Sequence, residues 1–300
     1  MSNESKKSRG IPAQALMLVP TNAVLLFLVI VPTIIVIWLS LVNFQPTFGA
    51  NFWQAPFVFL NNYAKILKDP AFLSAVLRTI GMSLVCLVVE FGISILTASI
   101  LSGEVFGKKV IFPLLIIPLM IPSIVVGNTF WLIFSANGPI NQLISMILRT
   151  DFKVSWFSHP QYALLPVALS EIWRWYPLIF LILFSGLAGI STSEIRAARI
   201  LGASEWRIFA RIKLPKLKGS IIIALVVRLM EALKVFDVVH LLTRGGPGTN
   251  TETISYYLFK NGFKYSRVSY ISAGAWLILL LSLLGFGLAL RTVMKKEREN

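Results

Sequence analysis

Long runs of apolar residues alternate along the chain with short polar stretches. A membrane span needs about 20 consecutive, mostly apolar residues. Six stretches reach that length, at 16–42, 75–101, 110–134, 162–187, 220–243 and 271–293. This pattern predicts an all-α integral membrane protein with six transmembrane helices. The membrane domain covers 16–293, with short tails at 1–15 and 294–300. Lys6, Lys7 and Arg9 precede the first run as they would in a secretory signal. That run is too long for a cleaved segment and no small-residue cleavage site follows it, so it reads as an uncleaved first span.

Composition supports lipid as the solvent. The chain is 56% hydrophobic and 14% charged, against roughly 25% charged in ordinary soluble domains. The net charge of +15 suggests nucleic acid, but its distribution argues otherwise. Sixteen Lys and Arg fall in the two tails and the loops at 102–109 and 188–219, and nine fall in the longer opposite loops. By the positive-inside rule the first face is cytoplasmic. The expected setting is the cell inner membrane, multi-pass, with both termini cytoplasmic. The opposite loops at 51–56 and 136–140 read as ordered structure, with Trp53 and Trp156 as interface anchors.

Several chemistries find no residues to carry them. Cys86 is the one cysteine and stands inside an apolar run, as a small core side chain would. His159 and His240 are isolated, so no metal site is expected. There is no G-x-x-x-x-G-K-[ST] phosphate loop; 103–109 (GEVFGKK) has the wrong spacing and lacks the Ser or Thr. The chain is therefore expected to hold no cofactor and not to be an enzyme.

The polar stretch 193–219 is too patterned for a plain linker. Ala197, Ala198, Ile200 and Leu201 favour a helix, and Gly202 follows where a helix end needs it. Trp206, Phe209 and Ile212 then repeat at every third position, giving a second amphipathic piece that Pro215 is expected to stop. On these residues alone, the two short helices serve equally well as an interfacial element on anionic lipid or as a dock for a partner.

Ionisable residues within spans are costly and usually face a cavity or one another. Glu90 stands alone in the second span. Glu171, Arg174, Trp175 and Leu178 share one helix face in the fourth. In the fifth, Arg228, Glu231 and Val235 share a face, and Arg228, Glu231, Lys234 and Asp237 are placed for i, i+3 pairing. The pairs either neutralise one another and join helices, or line a wet path. Asn128 and Trp131 on the third span are weaker candidates for such a path, while Trp173 and Tyr176 turn away from it towards packing.

Ala197 and Ala198, Gly202 four residues on, then Ile212, Leu214 and Pro215 resemble the "EAA loop" of binding-protein-dependent ABC importer permeases. Leu242-Thr243-Arg244-Gly245-Gly246-Pro247-Gly248 resembles the "LTxGGP" stretch of the carbohydrate-uptake branch, of the maltose and glycerol-phosphate type. The resemblance covers nearly the whole chain and implies the type I ABC importer permease fold, with 193–219 as cytoplasmic coupling helices. It departs at Arg196, where the family usually has Glu, and at Leu201, where it usually has Asp. A rewired docking face is expected from these two residues.

The resemblance implies a set of partners: a second permease subunit, two copies of a cytoplasmic ABC ATPase that bind ATP and Mg, and an extracytoplasmic solute-binding protein. Arg196, Ala197, Ala198, Gly202, Ile212, Leu214 and Pro215 become the ATPase-coupling residues. Solute contacts in the branch map to Glu171, Arg174, Trp175 and Leu178, and to Arg228, Glu231, Ala232 and Val235. The expected solute is a sugar or sugar derivative. The two arginines suggest one with an acidic group, such as a sulfonated, phosphorylated or uronic sugar. The rival is an ion-coupled secondary transporter using Glu90, Glu231 or Asp237 as proton sites.

Overall fold

A computed structural model of the chain describes residues 13–46 and 50–297. The basic N-tail residues Lys6, Lys7 and Arg9, and Arg298 of the C-tail, lie outside the described residues, as do most of the tails expected at 1–15 and about half of 294–300. Helix α1 spans Ala13–Leu41, α2 Asn61–Leu67 and α3 Pro70–Leu101. Then come α4 (Lys108–Met120), α5 (Ser123–Ile133), α6 (Pro139–Leu148) and α7 (Leu164–Ala188). The polar stretch holds α8 (Thr192–Ile200), α9 (Glu205–Ile208), a π turn at Phe209–Lys213, and α10 (Leu214–Lys216). The chain continues with α11 (Lys218–Ala232), α12 (Asp237–Leu242), α13 (Ile254–Phe259) and α14 (Val268–Glu297). The fold is all-α; among the described residues one isolated bridge, Val42 to Phe57, is the only extended pairing.

Four single helices are long and apolar enough to cross a membrane, at Leu18–Leu41, Pro70–Leu101, Leu164–Ala188 and Val268–Gly285. Their outer faces show the lipid-facing pattern: Phe27, Leu77 and Val88 are largely exposed on α1 and α3. Helix α3 starts where the sequence dictates. Asp69 Oδ1 accepts from the Ala71 N–H at 2.8 Å, and Pro70 follows as the first helical residue.

Two of the six expected spans are not single straight helices. The third bends by 100° between α4 and α5. Pro122 accounts for it: the residue before a proline is driven out of the helical region, and Ile121 is extended at φ −83, ψ 128. The fifth is broken between α11 and α12. A helix end leaves carbonyls without partners, which apolar surroundings do not tolerate. Three hydroxyls from elsewhere supply the missing hydrogen bonds. Ser83 Oγ donates to Ala232 O at 3.3 Å, Ser255 Oγ to Leu233 O at 3.1 Å, and Thr253 Oγ1 to Val235 O at 2.7 Å.

Two apolar clusters hold the bundle. Met82, Cys86, Val167, Ile172, Val235 and Val239 join α3, α7 and α12 with the break before it. Cys86 is thus the small core side chain expected of it. Nearer the polar stretch, Leu101, Phe180, Leu183, Leu187, Leu217 and Ala224 join α3, α7 and α11. Helix α12 lies so close on α5 that a Cβ at Gly127 would stand 2.6 Å from Leu241 Cδ1.

Candidate functional site

The polar stretch folds as two short helices about a bend. Gly202 sits at φ +77, a left-handed conformation that costs glycine little and other residues more. The Ala203 N–H donates to Ala198 O and the Gly202 N–H to Arg199 O, both at 3.0 Å. These are the paired bonds of a Schellman helix end. Ser204 Oγ then caps α9 by accepting from the Arg207 N–H at 3.3 Å. Arg199 and Glu205 pair across the bend, and Lys216 pairs with Glu194.

This bent element is anchored on one side and bare on the other. Ile208 is fully buried, and Ile195 and Ile212 pack on the cluster of α3, α7 and α11 ends. Ile200 and Leu201 are each 86% exposed, and Trp206 is 74% exposed. Arg196 and Ala197 are exposed beside them, with Ala198 half-buried. Arg196 reaches back to Thr192 Oγ1 at 3.3 Å and makes no ion pair among the described residues. Pro215 does not stop the helix as expected. It stands in the first turn of α10, where a missing N–H is tolerated, and the wider π turn at Phe209–Lys213 leads into it. Leu214 and Pro215 are exposed.

The ionisable residues of the spans are arranged differently from their sequence spacing. Glu90 does not stand alone. Arg228 Nε and Nη2 each donate to one Glu90 oxygen at 2.9 Å. Nη2 also reaches Glu171 Oε2 at 3.3 Å. Side-chain exposure of the three is 0–4%, so they form a buried triad across α3, α7 and α11. Arg228 therefore pairs across helices rather than with Glu231. Glu231 is held instead by Lys234 at 3.0 Å, the i, i+3 pairing expected of these two.

The remaining positions divide by exposure. Arg174, Trp175 and Leu178 are half-buried, and Glu231 is too. The guanidinium carbons of Arg174 and Arg228 each lie 5.1 Å from the Trp175 ring centroid. Arg174 has no hydrogen bond to a carboxylate among the described residues. Ala232 and Val235 are buried, Ala232 beside its Ser83 contact and Val235 in the α3–α7–α12 cluster. In this conformation both side chains face packing. Tyr176 donates to Leu115 O at 3.2 Å, as a packing residue does. Trp173 is 37% exposed and lies 5.8 Å from Phe130, ring to ring. Asn128 and Trp131 are exposed on α5.

The Gly-Gly-Pro stretch is also built. Thr251 Oγ1 bonds Thr243 Oγ1 at 2.6 Å and donates to Gly246 O at 2.8 Å. At Gly245, φ +81, a Cβ would strike the Tyr256 ring at 2.8 Å, so only glycine fits. Sequence reasoning did not find the triad or the hydroxyls at the helix break.

Comparison with known proteins gives the same picture. Residues 90–295 match the family described as the binding-protein-dependent transport system inner membrane component. The trehalose/maltose transport system permease protein MalF of Thermococcus litoralis is 33% identical over 247 residues, 81% of each chain. The sulfoquinovosyl glycerol transport system permease protein SmoG of Agrobacterium fabrum is 30% identical over 293 residues, 94% of this chain and 91% of that one. A chain of a bacterial alginate ABC transporter, solved with an alginate pentasaccharide-bound periplasmic protein, has the same fold: TM-score 0.77, 23% identity, 92% of each chain. The bent polar element, the helical membrane bundle and these likenesses agree that the chain belongs to the family of binding-protein-dependent transport system inner membrane components.

Proposed function

We propose that this chain is the permease subunit of an ATP-driven importer that carries a sugar or sugar derivative across the inner membrane. The observation that carries the reading is the Schellman-capped bend at Gly202, which presents Ile200, Leu201 and Trp206 bare to the outside of the chain. An apolar tip rimmed by Arg196 and Arg207 is suited to a cleft on a soluble partner. That partner is a cytoplasmic ATPase in two copies, which binds ATP and Mg. A second permease subunit completes the path and an extracytoplasmic binding protein delivers the solute. Both termini are cytoplasmic in this arrangement. ATP-driven closure of the ATPases moves the bent element, and alternating access follows from helix rearrangement. The names of the relatives favour a sugar.

The solute face on this reading centres on Trp175, with Arg174 and Leu178 on the same helix and Glu231 contributed by α11. An aromatic ring suits the C–H face of a sugar, and a guanidinium suits its oxygens. An acidic sugar is the narrower reading, and it rests on Arg174. Arg228 is engaged by two carboxylates, so Arg174 is the arginine left for a solute acid group. Affinity purification in mild detergent tests the class: an ATPase and a second permease co-purify, and recovery of the chain alone with transport independent of ATP would favour the ion-coupled rival. Arg174→Gln tests the narrower reading by selectively lowering uptake of glucuronate relative to maltose; equal effects on both would end it.

A further inference from the structure

The buried triad holds more than is needed to join three helices. Ion pairs removed from water gain little over apolar packing of the same volume, so helix joining alone gives a weak reason for two carboxylates and a guanidinium. What the triad does provide is geometry. Glu90 grips Arg228 through two parallel hydrogen bonds of 2.9 Å. Bidentate pairing fixes the plane of a guanidinium as well as its position. That guanidinium carbon lies 5.1 Å from the Trp175 ring centroid, within the range of a cation–π contact. Trp175 is only half-buried. Its ring thus has two cations beside it, the buried and doubly held Arg228 and the half-buried Arg174, each 5.1 Å from its centroid. Arg228 Nη1 is buried as well and has no hydrogen-bond partner among the described residues. The arginine is set by its carboxylates at the expense of one donor.

We infer that Glu90 is a positioning residue of the solute path. By fixing Arg228 it fixes the Trp175 ring, and with it the position of the aromatic surface that meets the sugar. The inference rests on the solute-path reading proposed above, but its first test does not need the solute.

The complex with its partner subunits is labelled with 5-fluorotryptophan and followed by fluorine NMR. The Trp175 line is identified by its loss in Trp175→Phe. The chain has eight tryptophans, and the other seven serve as internal controls. Glu90→Gln is expected to shift and broaden the Trp175 line and leave distant lines in place. Glu90→Asp, which keeps the charge, is expected to restore part of the sharp line; it also serves if Glu90→Gln fails to assemble. An unchanged Trp175 line in either assembled variant, or an equal change in all the lines, overturns the inference. Uptake then separates the two claims, using radiolabelled maltose, trehalose and glucuronate and scoring the member that the unaltered complex accumulates. Trp175→Ala is expected to lower uptake per assembled complex by about tenfold, the loss of one aromatic contact, and Glu90→Gln to add nothing further in that background. Full uptake by Trp175→Ala would sink the solute face while the NMR result still decides whether Glu90 sets the ring. Independent, additive losses would reduce Glu90 to a structural residue.

Discussion

Across the bend at Gly202, Arg199 Nε donates to Glu205 Oε1 at 2.6 Å. The pair ties the end of α8 to the start of α9 and holds the angle between them. Its hydrogen bond to Arg199 lowers the Glu205 carboxyl below its ordinary range, against a small opposing effect of burial. A depressed carboxylate contributes order above its unfolded value and loses it as pH falls through the folded one. Both side chains are exposed, so the contribution is small and screened by salt. Binding of a purified ATPase to the chain is expected to weaken slightly below the carboxylate range in unaltered protein, and Glu205→Gln to remove that pH dependence. A titration by surface plasmon resonance at two salt concentrations reads it.

Gly202→Ala is expected to impair coupling without disturbing insertion. A Cβ there meets nothing within 4 Å, so the whole cost is backbone strain at φ +77, about 1–2 kcal/mol. Asn tolerates that conformation better and is expected to lie between Gly and Ala. ATPase co-purification and sugar uptake per inserted chain measure the order.

Arg228→Leu is expected to destabilise the bundle strongly. It leaves Glu90 and Glu171 buried without their cation, and an unpaired buried charge costs about 3–5 kcal/mol. Thermal unfolding in detergent should show a marked loss that Glu90→Gln combined with Glu171→Gln in the same chain partly relieves. No relief would mean that the arginine acts through packing alone.

The two motif loops and the membrane bundle were legible in the sequence, and the reason is locality. Gly202 and Trp206 stand within a few residues of one another, so spacing exposes the bend and the second short helix after it. The Glu90–Arg228 pair spans 138 residues. Periodicity along one helix cannot show which face of α3 meets α11, so spacing pairs Arg228 with Glu231, its neighbour in sequence. Similarly, hydropathy marks 220–243 as one span because the carbonyl acceptors at Ala232 and Val235 are invisible to it. The Pro122 bend was accessible in principle, since the restriction on Ile121 is a local one.

Asp69 supplies a second pH-dependent element, outside the spans. It caps α3 and accepts from Tyr257 and Tyr270 hydroxyls at 2.7 and 2.6 Å. Burial pushes its carboxyl up, but the hydrogen bonds from Tyr270, Tyr257 and the Ala71 and Phe72 amides outweigh it and leave it lowered. Burial likewise raises the Tyr257 phenol, which stays protonated as a donor. Stability from this cluster is full above the ordinary carboxylate range and lost as pH falls through the lowered value. Asp69→Asn is expected to flatten that acid limb and, because it keeps the cap but loses the charged acceptor of two tyrosine hydroxyls, to cost about 1 kcal/mol at neutral pH. Melting temperature measured from pH 7 down to pH 3 checks it.

The interruption between α11 and α12 bears on how the protein is made. Two of the hydroxyls that close its open carbonyls, on Thr253 and Ser255, are translated after the segment they serve. A chain that ends at residue 243 therefore lacks two of the donors that the interrupted form of this segment uses. The interruption is thus completed only when residues 253–255 are in place, so the two halves of this segment take their final form together with the start of α13.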